Sequence, residues 1–105
     1  MANPWRGDVA LRIDGETRVM RLTLGALAEL EAEMKTGSLM EIVERFENAT
    51  FSSQDVLALL GAGLRGGQCD VTQDQLFHAQ IEGGPIAAAR AAAELLARAF
   101  AVPPA

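Results

Sequence analysis

The apolar residues of this chain change period once, after Leu22, and that change sets the order of its secondary structure. Val9, Leu11 and Ile13 alternate with Ala10, Arg12 and Asp14, the period-two pattern of a strand with one buried face. Asp14-Gly15 follows, the favoured pair for a tight turn with positive φ. The return strand, about Glu16–Leu22, carries Met20 and Leu22 on one face and Val19 and Arg21 on the other. A loop of two or four residues puts Val9, Leu11 and Ile13 on the same face as Met20 and Leu22. An isolated hairpin is marginal in water, so that face must be covered by the rest of the chain.

From Thr23 onward the spacing is helical. Thr23 is a candidate N-cap for a stripe of Leu24, Leu27, Leu30 and Met34, with Lys35 in the last turn and Gly37 as a stop. Ser38-Leu39-Met40-Glu41 reads as a capping box opening a second helix with Leu39, Ile42, Val43 and Phe46, ending near Asn48 or Ala49. Ser52 or Ser53 caps a third, with Val56, Leu57, Leu59, Leu60 and Leu64. Gly61 and Gly63 either weaken its end or permit a close helix crossing, and Gly66-Gly67 breaks it. Thr72-Gln73-Asp74-Gln75 opens a short helix bearing Leu76, Phe77 and Ile81, closed by Gly83-Gly84. Pro85 suits the first turn of a last helix, about Ile86–Ala101, which carries Ile86, Leu95, Leu96 and Phe100 among alanines before Pro103-Pro104 ends it. The fold class expected is α+β: an N-terminal β-hairpin (about 8–22) followed by a bundle of four to five helices (about 23–102), a single domain over residues 1–105.

Composition excludes several function classes. One cysteine and one histidine supply neither an internal disulfide nor a zinc site, so no cofactor or metal is expected. The net charge is −5 with Lys35 the only lysine, which disfavours a phosphate backbone and hence nucleic acid. Arg90, Glu94 and Arg98 interrupt the longest alanine-rich run, so no membrane span is expected. The first eight residues show no basic-then-apolar secretory pattern, and a single reduced thiol suits a bacterial cytoplasm.

Candidate chemistry is sparse. His78 lacks a serine or carboxylate partner in any motif, with only Asp74 one turn earlier, and it reads as structural. Cys69 lacks a positioned base and reads as an inert thiol. The segment 61–67 is glycine-rich but has no lysine-serine or lysine-threonine pair and follows a helix, so it is a helix end and not a phosphate loop. Residues 23–50 carry six glutamates against Lys35 and Arg45, a local balance of −4. They form a solvated face on two helices or meet a basic partner. Trp5 and the alanine-rich last helix each serve either core packing or partner docking.

Asp14-Gly15-Glu16-Thr17-Arg18, Leu22-Thr23-Leu24-Gly25-Ala26-Leu27-Ala28-Glu29-Leu30-Glu31, Ser52-Ser53-Gln54-Asp55-Val56 and Leu60-Gly61-Ala62-Gly63-Leu64-Arg65-Gly66-Gly67 carry a resemblance over roughly residues 6–100. Through them the chain resembles the tail-assembly chaperone-like proteins of gene transfer agents, phage-like particles encoded by bacteria. The resemblance implies a small, acidic, non-enzymatic assembly factor that is absent from the finished particle. It also implies binding to the tape-measure protein, whose apolar helices it covers, and to the tail-tube protein. No catalytic or binding residues carry over. The residues expected to touch a partner are Leu95, Leu96 and Phe100. The alternative is a minor tail or head–tail connector component retained in the particle, and a third reading is a small enzyme using His78 and Cys69. Hairpin edges and the last helix leave self-association open.

Overall fold

A computed structural model describes residues 7–33 and 38–100. Its order is β1 (Val9–Ile13), β2 (Glu16–Met20), α1 (Leu24–Glu33), α2 (Leu39–Glu47), α3 (Ser53–Gly66), α4 (Gln73–His78) and α5 (Gly84–Ala99). The expected α+β architecture, a hairpin followed by five helices, is the one observed. Trp5, Met34, Lys35, Gly37 and Pro103-Pro104 lie outside the described residues.

The strands pair antiparallel with Ile13 opposite Glu16 and Val9 opposite Met20. That register leaves a two-residue turn, and Asp14 and Gly15 both take positive φ, 52° and 80°, the mirror-image turn that matches strand twist. The buried face is Val9, Leu11 and Ile13, as the alternation predicts. β2 is shorter than expected and buries only Met20 of its residues, while Leu22 is buried just beyond it.

The other flank of β1 is covered by a segment that sequence reading assigned to a helix. α4 stops at His78, and Ile81 bridges Ile13 in extended conformation. The Asp14 amide donates to the Gln80 carbonyl (2.8 Å), the Gln80 amide to Asp14 Oδ1 (2.8 Å), and the Glu82 amide to the Arg12 carbonyl (3.1 Å). Ile81 is therefore corrected from helix to strand-like edge cover. The pairing is non-local, so no periodicity announces it.

α3 is the central element. Leu59, Leu60, Ala62 and Leu64 are fully buried, and the helix contacts α1, α4, α5 and β2. Ser52 caps it with a reciprocal box: Ser52 Oγ accepts from the Asp55 amide (3.1 Å) and Asp55 Oδ2 accepts from the Ser52 amide (2.9 Å). Thr72 and Gln75 form the same box on α4. The helix runs through Gly61 and Gly63 and ends at Gly66. Its C-terminal half lies flat on the chain leaving β2. A Cβ on Gly66 would enter the shell of the Arg21 carbonyl, 3.1 Å from its carbon, and one on Gly67 would stand 3.1 Å from the Val19 carbonyl carbon. At this closest approach the Arg21 amide donates to the Gly63 carbonyl at 2.9 Å.

Two apolar residues are not where the spacing predicts. Leu24 is 84% exposed, and α1 packs instead through Ala26 and Leu30. Each step of three residues rotates the side chain about 60° off the axis, so Leu24 stands about 120° from Leu30, whereas Ala26 stays near it. Ile86 is 72% exposed, because α5 turns Ala88, Ala91, Ala92, Leu95 and Leu96 to the core. Leu95 seats on Gly63, where an added Cβ would meet its Cδ1 at 2.8 Å.

Candidate protein-docking groove

Polar side chains fix the elements before any groove is formed. Asp55, nearly buried, accepts both Nε and Nη2 of Arg45 at 3.0 Å, tying the α3 cap to α2. Arg65 on α3 reaches Glu29 (2.8 Å) and Glu33 (3.1 Å) on α1, so two of the six glutamates serve tertiary structure. Asp8, fully buried, accepts from Arg21 Nε at 2.6 Å, and Arg98 of α5 donates to the Asp8 carbonyl. The Asp8 hydrogen bond and its charge raise the Arg21 pKa above the ordinary guanidinium value against an opposing desolvation. These pairs link the start of the hairpin, α2, α3 and α5, and none of them was legible as a spacing.

The sequence-derived chemical candidates remain dispersed. The His78 ring is exposed, with Nδ1 3.0 Å from the Asp74 carbonyl oxygen and 3.8 Å from its carboxylate. It borders a cleft of about 520 Å³ beside Asp14, Glu16 and Arg18. Asp14 there already accepts the Gln80 amide, and Arg18 pairs with Glu16 at 2.5 Å. Cys69 is half-buried against the core and does not line that cleft. Residues 61–67 are helix interior and C-cap, as read from sequence. Among the described residues no cluster of histidine, cysteine or carboxylate side chains could hold a metal ion. Nor is any helix among them long and apolar enough to cross a membrane.

The apolar feature is a groove of about 330 Å³ between α2 and α5. Val43, Phe46 and Glu47 form one wall, and Ala93, Leu96, Ala97 and Phe100 form the other. Phe46 is held in place by parallel stacking on Phe51, with centroids 4.5 Å apart and planes 5° apart. Ile42, fully buried, anchors α2 from below. Of the three residues expected to face a partner, Leu96 forms the floor and Phe100, 44% exposed, the end of the groove. Leu95 is placed elsewhere: it is 1% exposed and lies in the core. Val43 and Phe46 read from sequence only as the apolar stripe of the second helix, and Ala93 and Ala97 are not expected at a partner surface, though Ala93, Leu96 and Phe100 lie at spacings of three and four along the last helix. A groove lined mainly by apolar side chains is suited to receiving the apolar side chains of a partner.

Comparison with known proteins bears on which system this surface serves. A family model described as phage tail tube protein, GTA-gp10, matches residues 6–102. No curated protein and no solved structure matches. The match spans both walls of the groove and every described element, and on it the chain belongs to the phage tail tube protein family of gene transfer agents.

Proposed function

We propose that this chain is a non-enzymatic structural component of a phage-like tail, retained in the particle, with the α2–α5 groove as a protein-docking surface. The observation that carries the reading is the family match over residues 6–102, whose description is of a tube protein. The groove supports it, since apolar burial there would supply affinity at about 25 cal/mol per Å² before the costs of association. Partners in this reading are other tail proteins, including further copies of the chain. Quantitative mass spectrometry of purified particles tests it. A constant copy number per particle is the expected result, and absence from particles while the chain accumulates in producing cells overturns it.

A second reading, a tail-assembly chaperone that masks the tape-measure protein and leaves before the particle is finished, is favoured by one observation. Glu41, Glu44 and Glu47 on α2 are exposed and carry no ion pair among the described residues. Glu47 lines the groove, and this unpaired negative charge on α2 suits a soluble complex around an apolar cargo. The same particle analysis separates the two, because the chaperone is absent from particles and co-purifies with tape-measure protein from cells.

A further inference from the structure

We propose that the occupant of the α2–α5 groove is a second copy of this chain, with the two α5 helices packed antiparallel about a two-fold axis at Ala93. The proposal rests on reading the groove as a docking surface, and it names the partner. Ile86, Ala89, Ala93, Leu96 and Phe100 follow the alternating three-and-four spacing of a helix–helix seam. Leu96 is shared with the core face of α5, which is Ala88, Ala91, Ala92, Leu95 and Leu96, whereas Ile86, Ala93 and Phe100 of the seam are exposed. The ends of the seam are complementary to each other. Ile86, 72% exposed, is a knob at the N-terminal end, and the groove floored by Leu96 and walled by Val43, Phe46 and Phe100 is a hole at the C-terminal end.

The knob and the far end of the hole are equidistant from Ala93. Ile86 and Phe100 lie seven residues before and after it, about 10 Å along the axis in each direction. An antiparallel pair in that register seats the partner's Ile86 against Phe100 at one end and repeats the contact at the other. Alanine at 89, 93 and 97 lets the helices approach closely at the centre. A two-fold pair fills two grooves with one interface, whereas a head-to-tail contact fills one per interface and leaves a knob and a hole open.

Charge complements the fit. Arg90 is exposed and makes no ion pair among the described residues. Glu94, on the same flank of α5, is held only loosely by Arg98 at 3.6 Å. In the antiparallel register the partner's Arg90 lies level with Leu96, within side-chain reach of Glu94, and the symmetry axis gives the pair twice. Rim pairs of this kind set register and orientation more than affinity.

Sedimentation equilibrium of the full chain at micromolar to submillimolar concentration tests the proposal. The expected mass is twice the 11.1 kDa chain mass, reduced to one chain by Ala93→Arg with an unchanged far-UV circular dichroism spectrum. Independently of that variant, Ala93→Cys in a Cys69→Ser background should form a dimer-sized disulfide under an added oxidant. Ala87→Cys, about 120° around the helix, should not. A wild-type monomer throughout the range, a dimer indifferent to Ala93→Arg, or cross-linking equal at both positions overturns the proposal, and so does a ring or fibre in place of a closed pair. A monomer that is nonetheless found in purified particles overturns the dimer and leaves the tail role standing. A dimer missing from particles does the reverse.

Discussion

Replacing Gly66 by alanine tests how the central helix meets the hairpin, because two effects of opposite sign compete there. Helix propensity alone favours alanine by up to about 1 kcal/mol. The Cβ it adds would enter the shell of the Arg21 carbonyl, 3.1 Å from the carbonyl carbon and 3.3 Å from Ala26 Cβ. Both neighbours are fixed: one is backbone, the other a side chain without rotamers. The chain after β2 must move outward, which costs about 1–3 kcal/mol as overpacking. It also stretches the 2.9 Å bond from the Arg21 amide to the Gly63 carbonyl, a loss of about 1 kcal/mol. The net expectation is destabilisation by about 2 kcal/mol, or about 10 °C in Tm for a chain of this size. Gly25→Ala is the control, since the nearest atom to its added Cβ is Thr23 Oγ1 at 3.9 Å, and it should be neutral or stabilising. Urea unfolding followed by circular dichroism gives both numbers. If Gly66→Ala is as stable as the wild type at unchanged m-value, the close approach of α3 to the hairpin is wrong.

Three further predictions follow from the same contacts. Asp55→Ala removes the carboxylate half of the α3 capping box, the acceptor of the Ser52 amide, and both hydrogen bonds from Arg45 and should cost about 2–4 kcal/mol. A double-mutant cycle with Arg45→Met should give a coupling of at least about 1 kcal/mol, and additive effects would show the pair to be idle. Asp14→Ala deletes the acceptor of the Gln80 amide, so hydrogen exchange at Gln80 and Glu82 should accelerate while α3 amides keep their protection, and uniform acceleration would refute local edge pairing. Leu30→Ala, at a fully buried position, should cost about 2–5 kcal/mol. Leu24→Ser, at an 84% exposed one, should stay within about 0.5 kcal/mol in the same urea titration.

Much of the fold was legible because its signals are local. Alternation at Val9, Leu11 and Ile13, the Asp14-Gly15 turn, and caps at Thr23, Ser38, Ser52 and Thr72 each lie within a few residues of what they specify. The errors are cases where tertiary contact chooses among local options. α1 offers Leu24, Leu27 and Leu30 but buries Ala26 and Leu30, with Leu27 at the edge of the contact and Leu24 outside it. α5 is apolar nearly all round, so sequence alone does not say which side is core. The glycine at 63 decides it by receiving Leu95, which is why Leu95 lies inside, Leu96 is buried at the groove floor and Phe100 is exposed at its end. Ile81 was assigned to a helix because its pairing with Ile13 spans most of the chain and leaves no pattern nearby. The buried Asp8–Arg21 and Asp55–Arg45 pairs were invisible for the same reason.

The groove as the working surface of a tail component is tested most directly by counting tails. Ala97→Asp places a carboxylate on the groove wall at an exposed position, where the fold should tolerate it. Electron microscopy of particles from cells carrying this variant should show tailless or short-tailed heads, with the purified variant melting within a few degrees of wild type. A folded variant that supports a normal number of full-length tails would contradict the account.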